Sequence, residues 1–163
     1  MMAEDLLNNK RILIVDDEPD VLDTLESLLP MCEVVKATRF DVAKELLESE
    51  YFDMAVLDIM GVDGYKLLEI AGKRRVIPVM LTAHALSPGD TVKSFKQGAA
   101  YFIPKEKMTE IALYLNDVLE AREKGKSAWR RWFDRFADYY DRKFGPQWKE
   151  LDEEFWNKYG SWQ

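Results

Sequence analysis

Asp16 and Asp17 follow four apolar residues in "ILIVDDEP", and Asp58 ends a second apolar run, "DMAVLD". Thr82 closes a third, "IPVMLT", and Lys105 stands just past a fourth, "AYFIP". Carboxylates at the end of a buried strand resist desolvation and repel one another. Two like charges about 4 Å apart repel by about 4 kcal/mol at an intermediate dielectric, so three carboxylates gathered together need cations beside them. One divalent ion and one lysine balance the three. Oxygen donors with room for water suit Mg2+, whereas zinc takes His or Cys that the chain does not place here. A carboxylate beside such an ion is a nucleophile toward phosphorus, and a lysine and a hydroxyl can hold the oxygens of the acyl phosphate that forms. The chemistry this set suits is phosphoryl transfer to aspartate. Taken alone, "DDEPD" also reads as a plain helix start, with acids favoured around Pro19 in a first turn. The order and spacing of Asp58, Thr82 and Lys105 set that reading aside.

Those residues need a scaffold that brings strand ends together. Five short apolar runs, "RILIV", "EVVKA", "DMAVLD", "IPVMLT" and "AYFIP", end near Asp16, Ala37, Asp58, Thr82 and Pro104, which are 21, 21, 24 and 22 residues apart. Between them lie segments with apolar residues at helical spacing, such as Val21, Leu22, Leu25, Leu28 and Leu29, then Val42, Ala43, Leu46 and Leu47. Each connection is too long for a hairpin and fits a strand, helix, parallel strand unit. The expected fold is a doubly wound α/β domain with a five-stranded parallel sheet. In such sheets, functional groups collect beyond the carboxyl ends of the strands, where the strand order reverses. The second run ends without a polar group of this kind, which fits a strand at the sheet's edge.

At this point the residues resemble a known family, the CheY-like receiver domains of two-component response regulators. The match covers roughly residues 10–123, through "VDDEP", "AVLDIM", "MLTAH" and "GAAYFIPK" in that order. The resemblance implies the flavodoxin-like strand order 2-1-3-4-5. It implies that Asp58 accepts a phosphoryl group from a sensor histidine kinase, the chain catalysing its own phosphorylation and dephosphorylation without being a dedicated enzyme. By the same resemblance Asp17 binds Mg2+ directly, Asp16 directly or through water, and Met60 through its backbone carbonyl, with Asp58 completing the set. Lys105 pairs with the phosphoryl group, Thr82 swings toward it, and Phe102 follows as the buried aromatic of the switch. Added charge of about −1.5 to −2, neutralised by Thr82 and Lys105, then biases a surface around the fourth helix and fifth strand. His84, two residues after Thr82, reads either as a plain loop histidine near the site or as a residue that, with Met60, flanks the path of hydrolytic water. Two features depart from the family: "DIMGVDG" is two residues shorter than usual, and Pro104 precedes the lysine instead of following it, with Lys107 as a conceivable substitute.

The C-terminal region follows other rules. Residues 1–120 hold 13 basic and 22 acidic residues, and residues 121–163 hold 10 and 8. From Ser127 onward all five tryptophans appear, and Leu151 is the one large aliphatic residue. Trp129, Trp132, Phe133, Phe136, Tyr140 and Phe144 follow helical spacing. Gly145-Pro146 stops that helix and starts another, whose apolar face is Trp148, Leu151, Phe155 and Tyr159. The division expected is a receiver over residues 1–125 and an aromatic-rich helical hairpin over 126–163. Two helices alone cannot bury so much aromatic surface, so Trp129, Trp132, Phe136, Trp148 and Phe155 must meet the receiver, a second copy or a partner protein.

Composition bounds the remaining possibilities. A net charge of −7 argues against nonspecific nucleic-acid binding by the whole chain. Arg130, Arg131, Arg135, Arg142 and Lys143 suggest a DNA-binding regulator, but Asp134, Asp138 and Asp141 would face the same phosphates. The other alternative is a phosphate-insensitive scaffold that assembles through the tail. No run of about 18 apolar residues occurs and the N-terminus lacks an apolar leader segment, so a cytoplasmic protein is expected, with no separate catalytic output domain. Cys32, the single cysteine, reads as a small buried residue.

Overall fold

A computed structural model of the chain describes residues 6–83 and 86–160, the side chains of 158–160 excepted. Five parallel strands form one sheet in the order β2-β1-β3-β4-β5. They are β1 (Arg11–Val15), β2 (Glu33–Ala37), β3 (Met54–Asp58), β4 (Ile77–Thr82) and β5 (Tyr101–Pro104). Helices α1 (Pro19–Leu28), α2 (Phe40–Ser49), α3 (Gly64–Lys73), α4 (Pro88–Lys96) and α5 (Ile111–Glu123) connect or follow them. Every residue of β3 is buried, as continuous apolar runs covered on both faces require. Only β2 keeps exposed positions, in keeping with its place at one edge.

Register fixes where the polar strand ends meet. Val15 pairs with Leu57, so Asp16 and Asp58 stand one step beyond on neighbouring strands. Asp58 pairs with Leu81, so Thr82 is one step further along β4, and Thr82 pairs with Pro104, the residue before Lys105. The four ends therefore open on one crevice. Cys32 is half-buried, with its thiol 3.4 Å from the Leu7 carbonyl. Burial pushes its pKa up to about 11, which leaves it no thiolate chemistry at neutral pH.

Gly125, at φ +68°, turns the chain out of α5 and into α6 (Trp129–Phe144). The α6 face Trp129, Trp132, Phe136 and Tyr140 is buried between α4 and α5 and along β5, the other edge of the sheet. Phe95 of α4 meets Trp129 and Trp132 edge-on at 5.2 and 5.4 Å, and Tyr114 of α5 meets Phe136 at 5.1 Å. Of the three surfaces open to the tail aromatics, the chain's own receiver is the one they use: Trp129, Trp132, Phe136, Trp148 and Phe155 are each at most 3% exposed. A dimer or partner surface built on those rings is thereby corrected, because they lie inside the protomer.

The second half of the tail differs from the single helix expected. Gly145, at φ +85°, ends α6; residues Pro146–Asp152 form 3-10 turns, and α7 runs only over Glu153–Gly160. Asp152 Oδ1 accepts the Phe155 N–H at 3.0 Å, the hydrogen bond of an N-cap, so the α-helix begins there and not at Pro146. Trp148, Phe155 and Trp156 are buried while Leu151 is 66% exposed, so Trp156 takes the place expected for Leu151. The Tyr159 side chain lies outside the described residues.

Candidate functional site

Asp16 is fully buried and Asp58 is 4% exposed, while Asp17 and Glu18 face solvent. Lys105 joins them. Its Nζ lies 2.8 Å from Asp16 Oδ2, 3.2 Å from Glu18 Oε1 and 3.7 Å from Asp58 Oδ1. Lys107, the conceivable substitute, instead places its Nζ 5.0 Å over the Tyr139 ring. Asp16 Oδ1 accepts the Glu18 N–H at 2.9 Å, which folds the start of the β1–α1 loop around the carboxylate. Asp16 Oδ2 pairs in charge with Lys105 but accepts no well-directed hydrogen bond, so a lone pair of a buried anionic oxygen stays available to a cation. Asp16, Asp17 and Glu18 each offer an oxygen within 4.8 Å of the others, a donor set that fits a hard divalent ion.

The electrostatics follow from that crowding. Burial, then the neighbouring Asp16, pushes Asp58 up to about 7, and Lys105 only partly counters them. Burial also raises Asp16, against the pull of Lys105. For Lys105 burial works downward, but its contacts with Asp16, Asp58 and Glu18 leave its pKa raised overall, so the ammonium stays charged. A carboxylate that loses its proton near neutrality, beside an ammonium and a second buried carboxylate, can bind a cation and can act as a nucleophile.

In the loop after β3, two glycines allow close backbone approaches to the site. Gly61, at φ +87°, brings its backbone against Asp17, where a Cβ would come within 2.5 Å of the carboxylate. Gly64 packs on the Asp58 carbonyl, where a Cβ would lie 2.2 Å from the oxygen. Met60, the residue before Gly61, is 52% exposed. Thr82 is fully buried at the end of β4, and Phe102 is fully buried on β5. His84 lies outside the described residues. Sequence reasoning passed over Glu18 as a site residue, although it is the third acid of "DDE"; its carboxylate reaches Lys105 only because the loop curls back on Asp16.

The family model for the response regulator receiver domain matches residues 12–116. The two-component response regulator ARR10 of Arabidopsis thaliana is 36% identical over 102 residues, which cover 58% of this chain and 18% of that protein. The chain thus spans about a fifth of the length of the curated relatives it matches first. Among solved structures, a CheY-like response regulator receiver domain protein from Methanospirillum hungatei superposes with a TM-score of 0.65 at 33% identity, over 72% of this chain and 99% of that one. A response regulator protein from Burkholderia pseudomallei, solved with a phosphorylated aspartic acid, calcium ion and citrate, gives a TM-score of 0.58 at 25% identity, over 64% of this chain and 65% of that one. Among the described residues no helix is long and apolar enough to cross a membrane. With its five strands in the order 2-1-3-4-5 and its acids and lysine at their ends, the chain belongs to the response regulator receiver domains of two-component systems.

Proposed function

We propose that the chain is a phosphorylation-dependent switch in which Asp58 is the phosphoacceptor. The observation that carries the reading is the reach of one ammonium, Lys105 Nζ, to both Asp16 at 2.8 Å and Asp58 at 3.7 Å. An Asp58 oxygen attacks phosphorus, the bond from phosphorus to the imidazole nitrogen of a kinase phosphohistidine breaks, and the imidazole leaves with that electron pair. Lys105, released from Asp58 by the loss of its charge, pairs with the new phosphoryl oxygens, and the Thr82 hydroxyl is the second group assigned to them. Phe102 is assigned the packing response. Asp16, Asp17, Asp58 and the Met60 carbonyl would hold Mg2+, with Glu18 beside them; when bound, the ion supplies charge neutralisation between the carboxylates and the incoming phosphoryl group. The aspartyl phosphate and calcium ion of the Burkholderia relative fit the same assignment.

Residues 1–125 are assigned as the receiver and 126–163 as an extension packed into it. The partner proposed is a sensor histidine kinase, and the compartment the cytoplasm. A DNA-facing tail finds no support: Arg131 and Arg135 turn inward to Asp117 and Glu120, Arg130 pairs with Asp134, and Lys143 with Glu106. The test is incubation with Mg2+ and acetyl phosphate followed by intact mass measurement. One added phosphoryl group in the wild type, absent from Asp58→Asn and absent without Mg2+, is expected. Equal modification of Asp58→Asn would sink the assignment.

A further inference from the structure

Lys105 is the one cation paired with Asp16 and Asp58 among the described residues, and it stands where β5 ends and a 3-10 turn, Lys105–Glu110, begins. A lysine delivers its charge through a flexible stem, so where Nζ goes depends on how firmly the backbone beneath it is held. β5 has a neighbouring strand on one side only, and edge strands without cover fray. On its open side the strand meets α6.

Two grips of α6 straddle Lys105. Three residues before it, the Phe102 carbonyl on the open edge of β5 accepts the Trp132 Nε1–H at 2.7 Å, in a buried position. One residue after it, Glu106 Oε1 accepts from the Tyr139 hydroxyl and from Lys143 Nζ, the latter at 3.1 Å. A third tie reaches the start of the strand: Arg135 pairs with Asp117 at 2.5 and 3.0 Å, and Asp117 accepts the Tyr101 hydroxyl at 3.0 Å. Apolar packing alone would bury the tail without holding any particular backbone oxygen. These bonds instead fix the segment from which Lys105 projects.

We propose that α6 positions Lys105: Trp132, and Tyr139 with Lys143, are positioning residues that hold the end of β5 so that the ammonium reaches the Asp58 carboxylate. The proposal rests on the reading that Asp58 takes a phosphoryl group. The tail is then part of the phosphorylation machinery, and its seating sets how tightly the site grips a phosphoryl oxygen.

The experiment uses the full chain and titrates two ligands separately, Mg2+ alone and then beryllofluoride in saturating Mg2+. Mg2+ reads the acidic residues, while beryllofluoride on Asp58 also reads the lysine. Trp132→Phe keeps a ring in the pocket and removes the donor; Tyr139→Phe with Lys143→Ala releases Glu106 at the surface, where folding is least at risk. Beryllofluoride affinity should fall about 3- to 10-fold in Trp132→Phe, the range that loss of one buried hydrogen bond allows. In the surface double variant the fall should be about 2- to 3-fold. Mg2+ affinity should hold or rise, since Lys105 then competes less for Asp16. Wild-type beryllofluoride affinity in the variants overturns the proposal, and so does a parallel loss of both ligands. If Trp132→Phe does not fold, the double variant decides alone. Failure of the wild type itself to bind beryllofluoride would instead overturn the assignment of Asp58.

Discussion

A Cβ built on Gly61 would lie 2.5 Å from Asp17 Oδ2, so the backbone of the β3–α3 loop leans on the carboxylate at the end of β1. Gly61 makes that contact at φ +87°, a conformation that favours glycine. Gly61→Ala adds both a clash and left-handed strain, and should cost about 1–3 kcal/mol of stability. Because the displaced group is Asp17, Mg2+ affinity should fall roughly tenfold, a loss of about 1.4 kcal/mol. Gly72→Ala is the control, since nothing lies within 4 Å of its Cβ position in α3. There the substitution should stabilise by about 0.5–1 kcal/mol and leave Mg2+ binding unchanged. Calorimetric titration and urea melts of the two variants separate the effects.

Asp58 gives the metal-free protein a pH-dependent stability of definite sign. Its pKa is about 7 when folded and near 3.8 when unfolded, so between those values the folded state holds a proton that the unfolded chain has lost. The stability this proton confers is complete below pH 4 and is lost as pH rises through 7. Three pKa units set a ceiling of about 4 kcal/mol on the loss. Asp58→Asn should therefore be more stable than the wild type at pH 8 and lack the slope, as measured by urea melts in chelator. Mg2+ at pH 8 should raise the wild-type melting temperature and leave the variant nearly unmoved.

Much of this was legible because the residues obey two simple periods. Apolar β-branched runs spaced by helical segments specify parallel strands, and acids at the ends of such runs are too costly to be accidental. Glu18 was harder to read, since a third acid before Pro19 is also what a helix first turn prefers. The tail exposed a different gap. Spacing of Trp129, Trp132, Phe136 and Tyr140 shows that a face is buried, but not what buries it. The answer depended on a long-range fact, the uncovered edge of β5. The helix start misread at Pro146 has a local cause instead: Asp152 is the residue whose side chain caps α7.

Lys105→Met tests the charge balance directly. Asp16 and Asp58 would keep their burial and lose their ammonium, which at pH 8 should cost about 3–5 kcal/mol, the usual penalty for breaking a buried pair. At pH 5 the cost should shrink, because a proton on Asp58 does part of the lysine's work. Mg2+ should rescue the variant more than it stabilises the wild type. A loss independent of both pH and Mg2+ would mean that Lys105 matters for packing and not for charge.

Asp117 makes the tail's role in folding testable without deleting it. Its carboxylate is 3% exposed, and α6 neutralises it with Arg135 at 2.5 Å and Arg131 at 3.8 Å. The Tyr101 hydroxyl adds a donor, and burial with Asp117 beside it lifts that phenol well above its ordinary range, so it remains a neutral donor at any working pH. Arg135→Ala leaves the carboxylate with Tyr101 and a distant Arg131. Since Arg135 is itself 37% exposed, the pair is partly screened, and a loss of about 1–3 kcal/mol is expected. Asp117→Asn in the Arg135→Ala background removes the uncompensated charge and should recover part of that loss, whereas Asp117→Asn alone should cost stability by leaving Arg135 unpaired. Additive losses in this double-mutant cycle would show that the two side chains do not act as a pair, and α6 would then be held by its other contacts.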